Sequence, residues 1–128
     1  MLIALILAFI WALAWLYFDS SNTVKGIQAG VGVEGNGMIT TFWGPKPTLW
    51  QLWSVDGTLR LAIFLAAQFV PSSAAYPSAL QAMGIGALVA CGFKNWQGGR
   101  QWKWLFANKG KTIPQMNTFW SKILGFWG

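Results

Sequence analysis

Histidine is missing from this sequence, cysteine occurs once, as Cys91, and there are only three acids, Asp19, Glu34 and Asp56. Without histidine no Ser–His or Cys–His nucleophile can be assembled, and a His/Cys metal site has no ligand set. One cysteine excludes a disulfide within the chain. Placed inside an apolar run, Cys91 reads as a small buried hydrophobe. Paired carboxylates for acid–base work would have to come from three acids in two separate segments. Nucleotide-binding signatures lack their structural context. Gly30-Val31-Gly32-Val33-Glu34-Gly35 has the Gly-x-Gly-x-x-Gly spacing but follows a loop and no strand. Asn108-Lys109-Gly110-Lys111-Thr112 has the end of a phosphate-binding loop without the upstream glycine. The sequence therefore predicts no enzyme, no metal and no cofactor.

Charge is scarce as well: 9% of residues are charged and 55% are hydrophobic, against about 25% charged in an ordinary soluble domain. Ten tryptophans and a mean hydropathy of +0.44 complete a composition that cannot cover its own surface with polar groups. Lipid is the natural solvent. At 128 residues one domain is the ceiling.

Three apolar stretches follow one another. Residues 1–18 carry neither a charge nor a Gly or Pro break, and as a helix they would reach about 27 Å, close to the hydrocarbon thickness. No cation precedes them and no small-residue cleavage site follows, so an uncleaved first span is expected instead of a signal peptide. The second stretch, 49–70, holds Asp56 and Arg60 four residues apart, able to pair on one helix face, with Arg60 snorkelling toward the interface. Pro71 closes it. The third, 76–93, opens with Pro77 at a helix start. Its Gly84, Ala87, Ala90 and Cys91 recur at spacings suited to close helix packing in lipid. Between the first two lies a glycine-rich loop, 19–48, with room for a short helical piece at 19–29.

Cation bias distinguishes three spans from two. Lys94, Arg100, Lys103, Lys109, Lys111 and Lys122 follow the third stretch with no acid among them. Three crossings put Lys25 and Lys46 on the same side as these six, which the positive-inside rule favours. The expected fold is an all-α integral membrane protein: a three-helix transmembrane domain over 1–96 and a basic, tryptophan-rich interfacial tail over 97–128, with the C-terminus on the cytoplasmic or interior side. In that tail Gln101–Asn108 and Thr118–Trp127 mix aromatics with lysine and would lie flat on the surface. Lys94, Trp96, Arg100, Trp102, Lys103, Trp104, Lys109, Lys111, Trp120, Lys122 and Trp127 are the candidate membrane-interface or partner residues. The lipid bilayer is the expected partner, ahead of nucleic acid.

The chain shows one motif, where the first stretch ends: Asp19-x-x-x-Thr23-x-x-Gly26-Ile27-x-x-Gly30-x-x-x-Glu34-x-Asn36-Gly37. Two acids at a membrane boundary need partners. Thr23 and Asn36 can donate to them, Lys25 can pair with either, and the glycines let the loop fold back. Asp19, Thr23, Glu34 and Asn36 thus read as a polar clasp; a proton- or ion-handling site and a partner-recognition site remain as alternatives. The string resembles the signature of an uncharacterised family of small three-helix membrane proteins of bacteria and phages, Asp-x-x-Thr-Thr, then Gly, then Glu-x-Asn-Pro, with Asn22 in place of the first threonine and Gly37 in place of proline. That family also ends its third helix in an Asn-containing polar step, similar to Lys94-Asn95-Trp96. The resemblance spans about residues 1–96 and implies the three-helix architecture but no activity.

A non-enzymatic structural membrane protein is expected, a phage, virion or bacterial membrane-assembly component that associates with itself or with other membrane or virion proteins. It would sit in a bacterial inner membrane or a viral membrane. A holin-like pore former is the alternative.

Overall fold

The computed structural model describes residues 2–32, 37–70 and 76–109. Among them every regular element is a helix: α1 (Leu2–Gln28), α2 (Gly37–Trp43), α3 (Leu49–Gln68) and α4 (Pro77–Ala107). Local chemistry sets several of the ends. Thr48 caps α3 by accepting from the Gln51 amide, and the Gln51 side chain accepts from the Thr48 amide in return. Pro77 sits in the first turn of α4, where its missing N–H costs nothing. Tyr76, just before it, takes a left-handed φ of 55° to turn the chain into the helix.

Two helix ends depart from the sequence reading. The first helix does not stop at residue 18: α1 runs 27 residues to Gln28, through the segment expected to be a loop with at most a short helical piece. Its polar stretch stays helical where it packs on α4 through Asp19 and Gly26, and Ser20, Ser21, Asn22 and Thr23 each satisfy a side-chain donor on a carbonyl three or four residues earlier. The third helix does not stop at Lys94–Trp96 either. It runs on to Ala107, so Gln101–Asn108 is not a separate surface-lying patch but the last turns of α4. The short α2 was not foreseen; Ile39 anchors it, buried at its centre.

Packing pairs give the directions. Leu5, Ala8 and Ala12 of α1 meet Ala67 and Leu88 in one apolar cluster with Phe9, Ile63, Phe64 and Ile85. Further along α1, Trp11 lies on Gly92, Phe18 on Gly99, Asp19 on Gly98, and Gly26 on Trp102. Numbers rise together on both helices, so α1 and α4 are parallel. They fall on α3, where Phe64 stacks on Phe9 at 4.6 Å and Trp53 reaches Ser20, so α3 returns antiparallel between them. The result is an up-down-up bundle in which the first and last helices form the longest seam.

The buried positions of α4, Leu88, Gly92, Asn95, Gly99 and Trp102, step by four and three residues alternately. That is the spacing of a coiled-coil seam. A methyl at Gly92 or Gly99 would land inside the Trp11 or Phe18 ring, so these glycines let the backbones approach. Of the small residues expected to mediate packing, Gly84 does so against Ala67, whereas Ala87 and Ala90 face outward.

Candidate functional site

A chain of polar side chains crosses the bundle where the apolar part of α1 ends. Asp19 holds Thr23 on its own helix: the Thr23 hydroxyl donates to the Asp19 carbonyl at 2.8 Å and lies 3.5 Å from its Oδ1. From α4, the Asn95 amide donates to Asp19 Oδ2 at 2.7 Å. The other end of the same amide accepts from Arg60 Nη2 of α3 at 2.5 Å. Arg60 Nη1 in turn donates to the Asp56 carbonyl at 2.8 Å and lies 3.8 Å from its Oδ1. Beside this line the Trp53 indole N–H donates to Ser20 Oγ at 3.0 Å, and that hydroxyl donates to the Leu16 carbonyl. All three long helices are tied at one level.

Residue type matters at each link. Arg60 and Asn95 are 5% and 6% exposed, so each needs partners inside the protein. Asn95 lies between a carboxylate and a guanidinium; its carboxamide offers a donor to the first and an acceptor to the second from one planar group. Gly98, one turn on, leaves room for the Asp19 carboxylate, whose Oδ1 a methyl there would meet at 2.7 Å. Side chains on a helix lean toward its N-terminus, which carries the Arg60 guanidinium up α3 toward Asp56. The expected i, i+4 pairing of Asp56 with Arg60 is therefore present. The expected snorkelling out of the protein is not, because the Arg60 guanidinium is buried and ends on Asn95. The Arg60 Nε finds no acceptor among the described residues.

Of the four residues expected to form the clasp, Asp19 and Thr23 are joined as described, and Glu34 and Asn36 lie outside the described residues. The partners that sequence reading missed are Arg60 and Asn95. Asn95 carried one signal, its place in the four-and-three spacing from Leu88 to Trp102. Among the described residues no three His, Cys, Asp or Glu side chains converge as metal ligands.

A second grouping lies along the α1/α4 seam. Trp11, Trp15 and Phe18 form an edge-to-face ladder, with centroids 5.6 and 5.3 Å apart, and the Trp11 indole N–H donates to the Val89 carbonyl. On α4 the Lys103 ammonium sits 5.0 Å over the Phe18 ring, and the Arg100 guanidinium 5.1 Å over Trp96. Lys94 and Lys109 are exposed and Trp104 half-buried. Trp102, expected at the membrane interface, is instead buried against Gly26 and Gly32. Lys111, Trp120, Lys122 and Trp127 lie outside the described residues.

The surface around these groups is apolar. In α1, the one described helix long and apolar enough to cross a membrane, only 22% of the most apolar window is buried, and Leu2, Ile3, Leu7, Ile10 and Tyr17 are exposed. Comparison of the chain with protein-family models, with curated proteins and with solved structures finds no match.

Proposed function

We propose that the chain crosses a membrane three times, through α1, α3 and α4, and acts there as a non-catalytic structural component of a membrane assembly of bacterial or phage kind. One observation carries this reading: large apolar side chains line the outside of the bundle as well as its core. Arg60, Asn95, Ser20 and Thr23 are buried alongside the apolar cluster, while Leu59, Leu61, Leu65 and Phe69 of α3 and Leu80, Met83 and Val89 of α4 face outward. Such a surface is stable against acyl chains and not against water. Arg60 and Asn95 make α3 and α4 less apolar than α1, and polar residues within spans face the bundle interior as these do. Cations after α4 and in the loop before α3 favour a cytoplasmic or interior C-terminus.

Asp19, Thr23, Asn95, Arg60 and Asp56 are engaged with one another, which supports a structural role. The resemblance of the Asp19–Gly37 string to the phage and bacterial family supports the setting. The test combines fractionation with labelling. In a Cys91→Ser background, Lys46→Cys and Lys109→Cys are expected to react with an impermeant maleimide from one face, and Ser73→Cys only from the other. Release by alkaline carbonate, or labelling of all three from one face, would overturn the reading. Dye leakage from expressing cells would turn the assignment toward the holin-like pore.

A further inference from the structure

We infer that the outward flank of the α1/α4 seam binds an anionic phospholipid, its phosphate held by Lys103 and Arg100 and its acyl chain laid along Trp11, Trp15 and Phe18. The inference rests on the three-span reading and names a partner for it. Helical spacing places Trp96, Arg100 and Lys103, at i, i+4 and i+7, on one flank of α4. The aromatic ladder of α1 continues that flank, since Trp11 meets Gly92 and Phe18 meets Gly99. Asn95 and Gly84 turn toward α3, so the flank looks away from the rest of the bundle, and Trp11 and Lys103 are exposed on it.

Depth fits a headgroup. From Leu2 to Asp19 α1 rises about 26 Å, and from Pro77 to Asn95 α4 rises about 27 Å, each close to the thickness of the hydrocarbon core. The two cations follow five and eight residues after Asn95 and lean back. Arg100 lies over Trp96, and Lys103 lies over the Phe18 ring that meets Gly99, which sets its ammonium about 6 Å beyond Asn95, in the phosphate layer. Both charges rest on ring faces, the arrangement of residues that bridge apolar and charged zones. Charge complementarity selects the occupant: α4 carries cations and no acid, and the Asp19 carboxylate packed at Gly98 accepts from Asn95 on the inner side of the seam. A zwitterionic lipid would bring its own cation to the same place.

The test uses the full chain in detergent micelles, titrated with phosphatidylglycerol or phosphatidylcholine and read by native mass spectrometry. Phosphatidylglycerol is expected to be retained in preference. Lys103→Gln should cut that preference about fivefold, and Lys103→Gln with Arg100→Gln about twenty-five-fold, at about fivefold per basic residue. Lys46→Gln, a cation away from the seam, should leave it unchanged, as should Lys103→Arg; helix content by circular dichroism identifies any variant that has unfolded. Equal retention of the two lipids, a double variant that keeps the preference, or displacement of the lipid by a single-stranded oligonucleotide would overturn the inference. A chain that resists carbonate extraction yet shows no preference loses this inference alone, whereas one that washes off loses the three-span reading.

Discussion

At the level of single residues the structure ranks its polar links. Among the described residues, Asn95 joins the Asp19 side of the network to the Arg60 side. Asn95→Ala leaves a carboxylate and a guanidinium short of a partner in a buried setting, and a loss of about 2 kcal/mol is expected, read by denaturant titration in micelles. Asp56→Ala should cost less, since Arg60 keeps Asn95 and the residue-56 carbonyl. A larger effect at Asp56 would show that the ion pair, and not the amide relay, ties α3 in place. Half of this site was legible in the sequence. Asp19 and Thr23 stood out as polar groups at the end of an apolar run, and Asp56 and Arg60 by their spacing of four. The link between the halves was not, because it runs over 76 and 35 residues of sequence and no local period records it.

Elements test the packing argument differently. Gly99→Ala puts a methyl into the Phe18 ring, and overpacking of that kind is expected to cost about 2 kcal/mol. Gly86→Ala meets nothing within 4 Å and should gain up to about 1 kcal/mol from helix propensity. The two opposite signs, from one substitution on one helix, are measurable as thermal shifts in micelles. Thr48→Ala removes the α3 capping box and should cost about 1 kcal/mol. Helix existence was readable from the apolar runs and from Pro77, but two ends were misjudged. The glycines of 19–48 look like helix breakers in a one-dimensional reading, and Lys94-Asn95-Trp96 looks like a polar step that ends a span. In the bundle Gly26, Gly98 and Gly99 are contact points for Trp102, Asp19 and Phe18, and tertiary contact overrides propensity there.

For the whole molecule, continuity of α4 is the feature most open to experiment. Amides of 97–107 should exchange with deuterium as slowly as those of 88–95, because both stretches share the seam with α1. Fast exchange confined to 97–107 would restore the surface-lying tail in place of the helix. The parallel pairing of α1 with α4 also bears on biogenesis. The partner of α1 is the last of the described long helices to be made, so Asp19 has no Asn95 to accept from until more than half of α4 has been synthesised. A chain interrupted before residue 95 would leave Asp19 and Arg60 without the amide that joins them, an intrinsic mark of incompleteness by which membrane proteolysis could sort unfinished copies from finished ones.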